Sequence, residues 1–417
     1  MNTWDQIPLG DICSKIGSGA TPRGGQEAYK SEGISLIRSM NVYDFAFIND
    51  GLAFIDDAQA NKLKGVTVKA NDILINITGA SVGRCCIVPN AVLPACVNQH
   101  VAIIRLKLDV ANPAFVLNAI NSPYYKDVIL NRSTTGATRE ALTKEDLSQF
   151  KVPLPPLPIQ RKIAAILSAY DDLIENNTRR ITLIEQMAEE VYREWFVRLR
   201  FPGHESVPVY QGVPEGWEPT ILGEIANISM GQSPSSELYN AVGIGLPFHQ
   251  GVGTYGARFP RKEIFCTEEK RKAKRGDILF SVRAPVGRLN IANDDLIIGR
   301  GLAAINHKQG FNSYLFYLLN HTFSSEDLIG NGSIFNSVGK DELSSVKVLM
   351  PKLATVKRFD ALSGKMDTQI ENLYGQSERL KRTRNMLIPR LLSGKLAVES
   401  LDIQFPPGMS DLVSAGD

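Results

Sequence analysis

Histidine and cysteine are scarce in this chain, and neither falls in a ligand or catalytic pattern. His100, His204, His249, His307 and His321 are scattered through 417 residues with no H-E-x-x-H, no G-x-S-x-G and no G-x-x-x-x-G-K-[ST] run, which removes zinc proteases, nucleophile-elbow hydrolases and phosphate-loop enzymes from consideration. Cys13, Cys85, Cys86, Cys96 and Cys266 are odd in number and lack C-x-x-C spacing, so neither a disulfide framework nor a zinc site is expected, and they read as buried small hydrophobes. No apolar run reaches the ~18 residues of a membrane span. Met1–Gln6 has no basic or apolar leader pattern, so a cytoplasmic protein without membrane attachment is expected. Charge of one sign is also missing: 46 Lys+Arg stand against 44 Asp+Glu, a balance that neither demands nor excludes a polyanionic partner.

What is present is length and repetition. The 45.9 kDa chain exceeds one ordinary core, and its 43% hydrophobic content fits folded protein. Trp4 with Leu9-Gly10-Asp11-Ile12 returns as Trp217 with Leu222-Gly223-Glu224-Ile225. Asp72-Ile73-Leu74 before Ala80-Ser81-Val82-Gly83-Arg84 returns as Asp277-Ile278-Leu279 before Ala284-Pro285-Val286-Gly287-Arg288. Lys144-Glu145-Asp146-Leu147-Ser148 returns as Lys340-Asp341-Glu342-Leu343-Ser344, and Ile174-Glu175-Asn176 as Ile370-Glu371-Asn372. Four blocks in one order imply two copies of one unit.

Each copy has two parts. The first, rich in Gly and in short β-branched runs such as Val101-Ala102-Ile103-Ile104, reads as a β-rich α/β globule. Packing helices are expected late in each, at Ala114–Ile120 and Tyr314–Leu319. The second part reads as a long helix. Apolar residues fall at Ile159, Ile163, Ile166, Tyr170, Leu173, Ile181, Ile184, Val191 and Trp195, with a stutter near Asn177, and at Phe359, Met366, Ile370, Leu373, Leu380, Leu387 and Leu391. Both are coiled-coil-like stripes. The first would extend roughly 57 Å at 1.5 Å per residue, and its simplest partner is its own repeat, paired antiparallel. The expected domains are 1–152, a helix over 153–200, 201–350, a helix over 351–398, and a tail over 399–417.

Catalytic patterns are weak. Gly17-Ser18-Gly19 lacks the third glycine of a dinucleotide loop, and Asn121-Ser122-Pro123-Tyr124, near a methyltransferase motif, is better read as a helix stop. Nucleic-acid contact fits more. Arg258, Arg261, Lys262, Lys270, Arg271, Lys272, Lys274 and Arg275 crowd one stretch, although Glu263, Glu268 and Glu269 make a solvated charged loop an equal reading. Polar residues beside Gly-rich turns supply candidates for base-edge and phosphate contact. In the first copy these are Thr21, Arg23, Arg38, Thr78, Ser81, Arg84, Asn98, Gln99, His100, Thr134, Thr135, Thr138 and Arg139. In the second they are Ser233, His249, Gln250, Arg258, Arg283, Arg288, Arg300, Asn331, Ser333 and Asn336.

Gly19-Ala20-Thr21-Pro22, the Asp72-Ile73-Leu74 strand before Val82-Gly83-Arg84, the stretch from Leu147-Ser148 through Val152-Pro153-Leu154-Pro155-Pro156-Leu157 to Gln160-Arg161 and Ile163, and Leu391-Leu392-Ser393-Gly394-Lys395-Leu396 together resemble the specificity subunit of type I restriction-modification systems. The likeness spans nearly the whole chain. The second copy departs from it, with Gly231-Gln232-Ser233-Pro234 and Lys352-Leu353-Ala354-Thr355-Val356-Lys357 at the matching places. The resemblance implies two target-recognition domains separated by an antiparallel two-helix coiled coil. It also implies a non-catalytic subunit that reads double-stranded DNA and assembles with two modification subunits and with restriction/translocase subunits. Adenine methylation and ATP-dependent cleavage, with S-adenosylmethionine, ATP and Mg, would then belong to those partners, and this chain would hold no cofactor or metal. Rival readings are a protein-binding scaffold without DNA affinity and a stand-alone methyltransferase. Two unlike globules on a fixed rod predict a bipartite, asymmetric target whose half-sites lie no more than about 15 base pairs apart at 3.4 Å per pair.

Overall fold

The computed structural model describes residues 4–22, 24, 28–133, 141–324 and 337–405. These form two compact units, Met1–Asn177 with Gln376–Asp417, and Thr178–Gly375.

In the first unit, strands Cys13–Ser18, Val101–Leu106, Ile73–Asn76 and Cys85–Ile87 lie in that order in one antiparallel sheet. The central strands are apolar at successive positions because both faces are covered. Ile73, Ile75, Ala102 and Ile104 face helix Pro113–Asn121, through Phe115, Val116 and Ile120. Leu74, Val101 and Ile103 face a second sheet through Ile37, Ala95 and Val97. That second sheet runs Ala53–Ile55, Ile34–Ile37, Ala95–Val97, Thr67–Val68, and its middle pair is parallel. Entry and exit meet where Gln6–Pro8 pairs antiparallel with Lys151–Pro153.

The second unit repeats this plan. Ala226–Met230, Leu302–His307, Ile278–Ser281 and Leu289–Ile291 form the first sheet. Tyr239–Asn240, Phe265–Cys266, Leu246–His249, Leu296–Ile298 and Lys272–Ala273 form the second, again with a parallel middle pair and with Tyr239–Asn240 as an added edge. Glu218–Ile221 closes on Lys347–Met350.

The repeated sequence blocks now have physical reasons. Asp72 and Asp277 each accept a backbone N–H three residues back, from Lys69 (2.7 Å) and Lys274 (2.9 Å). Each turn passes through a left-handed residue, Asn71 or Gly276, the types that tolerate it. Lys144–Ser148 and Lys340–Ser344 are short helices that bury Leu147 and Leu343. Both packing helices form, at Pro113–Asn121 and Asn312–Ser324. Asn121 ends the first of them, its amide donating to the Cys85 carbonyl (3.1 Å), which makes it a structural stop. All five cysteines are buried and free, and burial pushes the Cys13 and Cys86 thiols up to about 12.

The long helices span Leu157–Tyr192 and Leu353–Leu392. In the first unit, Ile163, Ala164 and Leu167 share a core with Ile388, Leu391 and Leu392. Asp171 pairs with Arg384, while Lys162 donates to the carbonyls of Glu399 (2.7 Å) and Leu401 (2.8 Å), so the segments there run in opposite directions. In the second unit, Tyr192 lies 5.7 Å from Phe359 and Glu185 shares Arg258 with Asp367, which is again opposite. Leu173 corrects one expectation, because it is 52% exposed. Six residues past Leu167 it sits about 240° around the axis, so it points about 120° away from the direction in which Leu167 is buried. Among the described residues no helix is long and apolar enough to cross a membrane.

Candidate nucleic-acid interface

In both units the two parallel strands end side by side, and four backbone hydrogen bonds stitch the neighbouring loops onto that end. In the first unit Asn98 N donates to Ile37 O (3.0 Å), Ala20 N to Val97 O (3.1 Å), Gly19 N to Val101 O (2.9 Å) and Ile77 N to His100 O (3.0 Å). In the second, Gly299 N donates to His249 O (2.8 Å), Gln232 N to Ile298 O (2.9 Å), Gly231 N to Leu302 O (2.9 Å) and Val282 N to Gly301 O (3.0 Å). The ladder equates Thr21 with Ser233, Arg38 with Gln250, Gln99 with Arg300 and Thr78 with Arg283. The carboxyl ends of parallel strands are where open α/β sheets take ligands. Gly19 and Gly231 permit the stitching, since a Cβ would come within 2.1 Å of Val97 O and 2.2 Å of Gly299 O, respectively.

The ladder gathers most of the described residues among those nominated from sequence onto one edge per unit. The Thr78 hydroxyl and His100 Nδ1 are 2.7 Å apart, and His100 Nε2 and Gln99 Nε2 are 3.3 Å apart. Ser233 donates to Gln250 Oε1 (2.8 Å) and accepts from Arg300 N (3.1 Å). Thr21 is exposed, Ser81 closes the turn Gly79–Ser81, and Arg84 lies 4.7 Å above the Tyr43 ring. Arg38 is more constrained, stacking 5.3 Å from Tyr29 and donating to Gly51 O. Arg283, Arg288 and Arg300 are exposed. Among the described residues, no carboxylate forms an ion pair with Arg84, Arg283, Arg288 or Arg300. Arg23, Thr134, Thr135, Thr138, Arg139, Asn331, Ser333 and Asn336 lie outside the described residues.

Two nominated residues and the basic stretch need correction. His249 is fully buried, with Nδ1 2.7 Å from the Thr254 hydroxyl, and burial, aided by Lys262, depresses its pKa to about 4. It is a neutral core group and cannot reach a base. Arg258 is 5% exposed, paired with Asp367, 3.8 Å from Glu185 and 4.0 Å above the Phe316 ring. Its guanidinium is consumed in fastening its domain to the helices. Further along the stretch Arg261 pairs with Glu263, Lys262 with Asp294, Lys270 with Glu268, Lys272 with Glu269 and Arg275 with Glu371. Most of the stretch is thus ion-paired with near and distant carboxylates, which favours the solvated charged loop.

Three features escaped the sequence. Tyr43, 41% exposed beneath Arg84, carries no local motif. Asp171 and Asp367 occupy matching helix positions and each holds an arginine, Arg384 over Phe45 or Arg258 over Phe316; the matched spacing was the available signal. The third is the added edge strand with its turn, Ala241-Val242-Gly243-Ile244-Gly245, whose signal was apolar residues set between turn glycines.

The fold is that of a duplicated α/β domain in which, among the described residues, the arginines near the ends of the parallel strands have no carboxylate ion pair. Comparisons narrow that class. The family described as the type I restriction modification DNA specificity domain matches residues 1–186 and 214–381. A putative type I restriction enzyme MjaX specificity subunit of Methanocaldococcus jannaschii is 27% identical over 405 residues, 95% of this chain and 94% of that protein. The HindI specificity subunit of Haemophilus influenzae is 21% identical across 95% of this chain and all (100%) of its own length. The crystal structure of the type I restriction-modification S subunit from M. genitalium shares the fold, with a TM-score of 0.59 at 15% identity, covering 94% of this chain and 96% of that one. This chain belongs to the type I restriction-modification DNA specificity family, and recognition of a DNA sequence is its role.

Proposed function

We propose that each unit reads one half of a bipartite, asymmetric double-stranded DNA target, with residues 1–152 and 201–350 as the readers. The observation that carries this is the sorting of arginines: among the described residues those beside the parallel-strand ends form no ion pair with a carboxylate, whereas most of the basic residues elsewhere in the second domain are ion-paired. Phosphates require unpaired cations, and base edges require amides, hydroxyls and guanidinium groups. The matched edges differ in side chain, Thr21, Arg38 and Gln99 against Ser233, Gln250 and Arg300, which is why the halves should differ in sequence.

The helices over 153–200 and 351–398 act in this reading as an antiparallel coiled coil that sets the spacing and docks two modification subunits. Their solvated faces include Arg179, Arg180, Lys381 and Arg382. The opposed helix directions within each unit support it. Catalysis, S-adenosylmethionine, ATP and Mg belong to the modification and restriction partners, in the cytoplasm, and this chain contributes recognition alone.

The test is binding of target duplex by the assembled complex across a salt series. Steep salt dependence is expected, and Arg84→Ala or Arg288→Ala should each lower the slope by about one. A flat salt response returns the protein-binding scaffold reading. Heat on titrating the isolated chain with S-adenosylmethionine would contradict the division of labour. Inserting one heptad into both helices should lengthen the spacer and leave both half-sites unchanged.

A further inference from the structure

In the first unit Lys30 bridges Phe54 and the short polar turn Ser31-Glu32-Gly33 leads into Ile34–Ile37; the corresponding turn of the second unit is longer and apolar. Between strands Tyr239–Asn240 and Leu246–His249 the chain presents Val242 at 77% and Ile244 at 60% exposure. Exposed aliphatic side chains on a turn are ordinarily unfavourable, and this turn is also held rigid. Asn240 Oδ1 accepts from Val242 N (3.2 Å) and Ile244 N (3.0 Å), while its Nδ2 donates to Ile244 O (2.8 Å). Gly243 and Gly245 take left-handed conformations, and a Cβ on Gly245 would come within 2.1 Å of Cys266 O. One side-chain amide thus satisfies three backbone groups and points two methyl-rich side chains outward.

The turn is fastened to the candidate interface. Tyr239 donates from its hydroxyl to Pro234 O (3.0 Å), next to Ser233, and its ring stacks 4.6 Å from Phe248, two residues before Gln250. The base of the apolar turn is therefore anchored beside the edge that presents Ser233, Gln250 and Arg300. Within a polar, cationic surface that faces DNA, the base feature suited to an aliphatic contact is the thymine C5-methyl group in the major groove.

We infer that Val242 and Ile244 are specificity-determining residues that contact thymine methyl groups in the half-site read by the second unit. This rests on the DNA reading above. Burying one methyl group amounts to about a fourfold change in affinity.

The experiment uses the complex of the full chain with its modification subunits and a target identified by mapping the adenines that complex methylates. Each thymine in both half-sites is replaced in turn by deoxyuridine, which deletes only the methyl group, and duplex affinity is measured for the wild type and for the Val242→Ser, Ile244→Ser double variant. The expected result is a loss of about fourfold at one or more thymines of a single half-site in the wild type, abolished in the double variant. Both side chains are solvent-exposed, so folding should be retained; Val242→Ala alone, with part of the effect, guards against a misfolded double variant. Specific binding without methyl sensitivity overturns the inference and leaves the DNA reading standing. An equal methyl effect in wild type and variant, or loss of modification-subunit binding in the variant, also overturns it. Absence of sequence-specific binding by the wild type overturns the DNA reading and this inference together.

Discussion

Ile37 and His249 end equivalent strands in two copies of one domain, and both are fully buried. The first copy fills the place with a hydrocarbon and the second with an imidazole that must stay neutral. The same contrast recurs at the helix attachments. Asp171 and Asp367 match in the repeat, but Asp171 is held by Arg384 of the second long helix, whereas Asp367 is held by Arg258 of the recognition domain itself. Duplication has kept the backbone ladder and the acid, and has let the partner come from a different element. What persists between copies is what the backbone needs, and what diverges is what side chains can supply in several ways.

That comparison is sharpest where the second unit depends on buried charge. Arg258→Ala should destabilise the second unit by about 3–5 kcal/mol, because Asp367 and Glu185 lose their shared cation. Arg384→Ala, at a more solvated pair, should cost the first unit about 1–2 kcal/mol. Hydrogen exchange of Ile278–Ser281 against Ile73–Asn76 reads the two separately, and equal losses would erase the contrast.

Acid should separate the units next. His249 titrates near 4 when folded and near 6.5 when unfolded, so between those values the unfolded chain binds more protons and stability falls as pH falls. His249 should cost the second unit about 3 kcal/mol from pH 6.5 to 4, and His249→Ile should reduce the slope, leaving the part that comes from His307 and His321, whose pKa values burial also lowers. Denaturant midpoints across that window check it.

Gly19 and Gly231 should behave alike. Alanine at either forces a methyl onto a carbonyl oxygen and should cost about 2 kcal/mol with loss of target binding. A tolerant Gly231→Ala would show that the second edge is built differently. The smallest contrast lies at the repeated aspartates. Asp72 is bound by both Nε and an Nη of Arg105 (2.8 and 2.7 Å), while Asp277 accepts from Asn306 (3.1 Å) and is pushed up in pKa by burial. Asp72→Asn should therefore exceed Asp277→Asn by about 1 kcal/mol in thermal unfolding.

Much of the fold was legible because it is written in short-range pattern. The apolar runs of the central strands, the packing helices, the Asp-led turns and the long helical stripes each depend on neighbours a few residues away. Leu173 shows the limit, since a seven-residue count and a true 3.6-residue turn diverge by that point. The candidate edges were legible in part. Thr78, Gln99, His100, Ser233, Gln250 and Arg300 were named from composition beside glycines, and they do converge. The basic stretch stayed open between two readings in the sequence because its acidic partners include ones far away: Asp294 for Lys262, Glu371 for Arg275 and Asp367 for Arg258. Local charge density cannot report a partner a hundred residues distant.

The order of amino acids alone decided that there are two copies and where strands and helices form, because these follow from local period, turn chemistry and repetition. Only the tertiary structure decided which arginines remain free for a polyanion, that His249 is a core residue, and that each recognition domain shares its unit with the start of one long helix and the end of the other. Those outcomes depend on through-space pairing and burial, which no local pattern encodes.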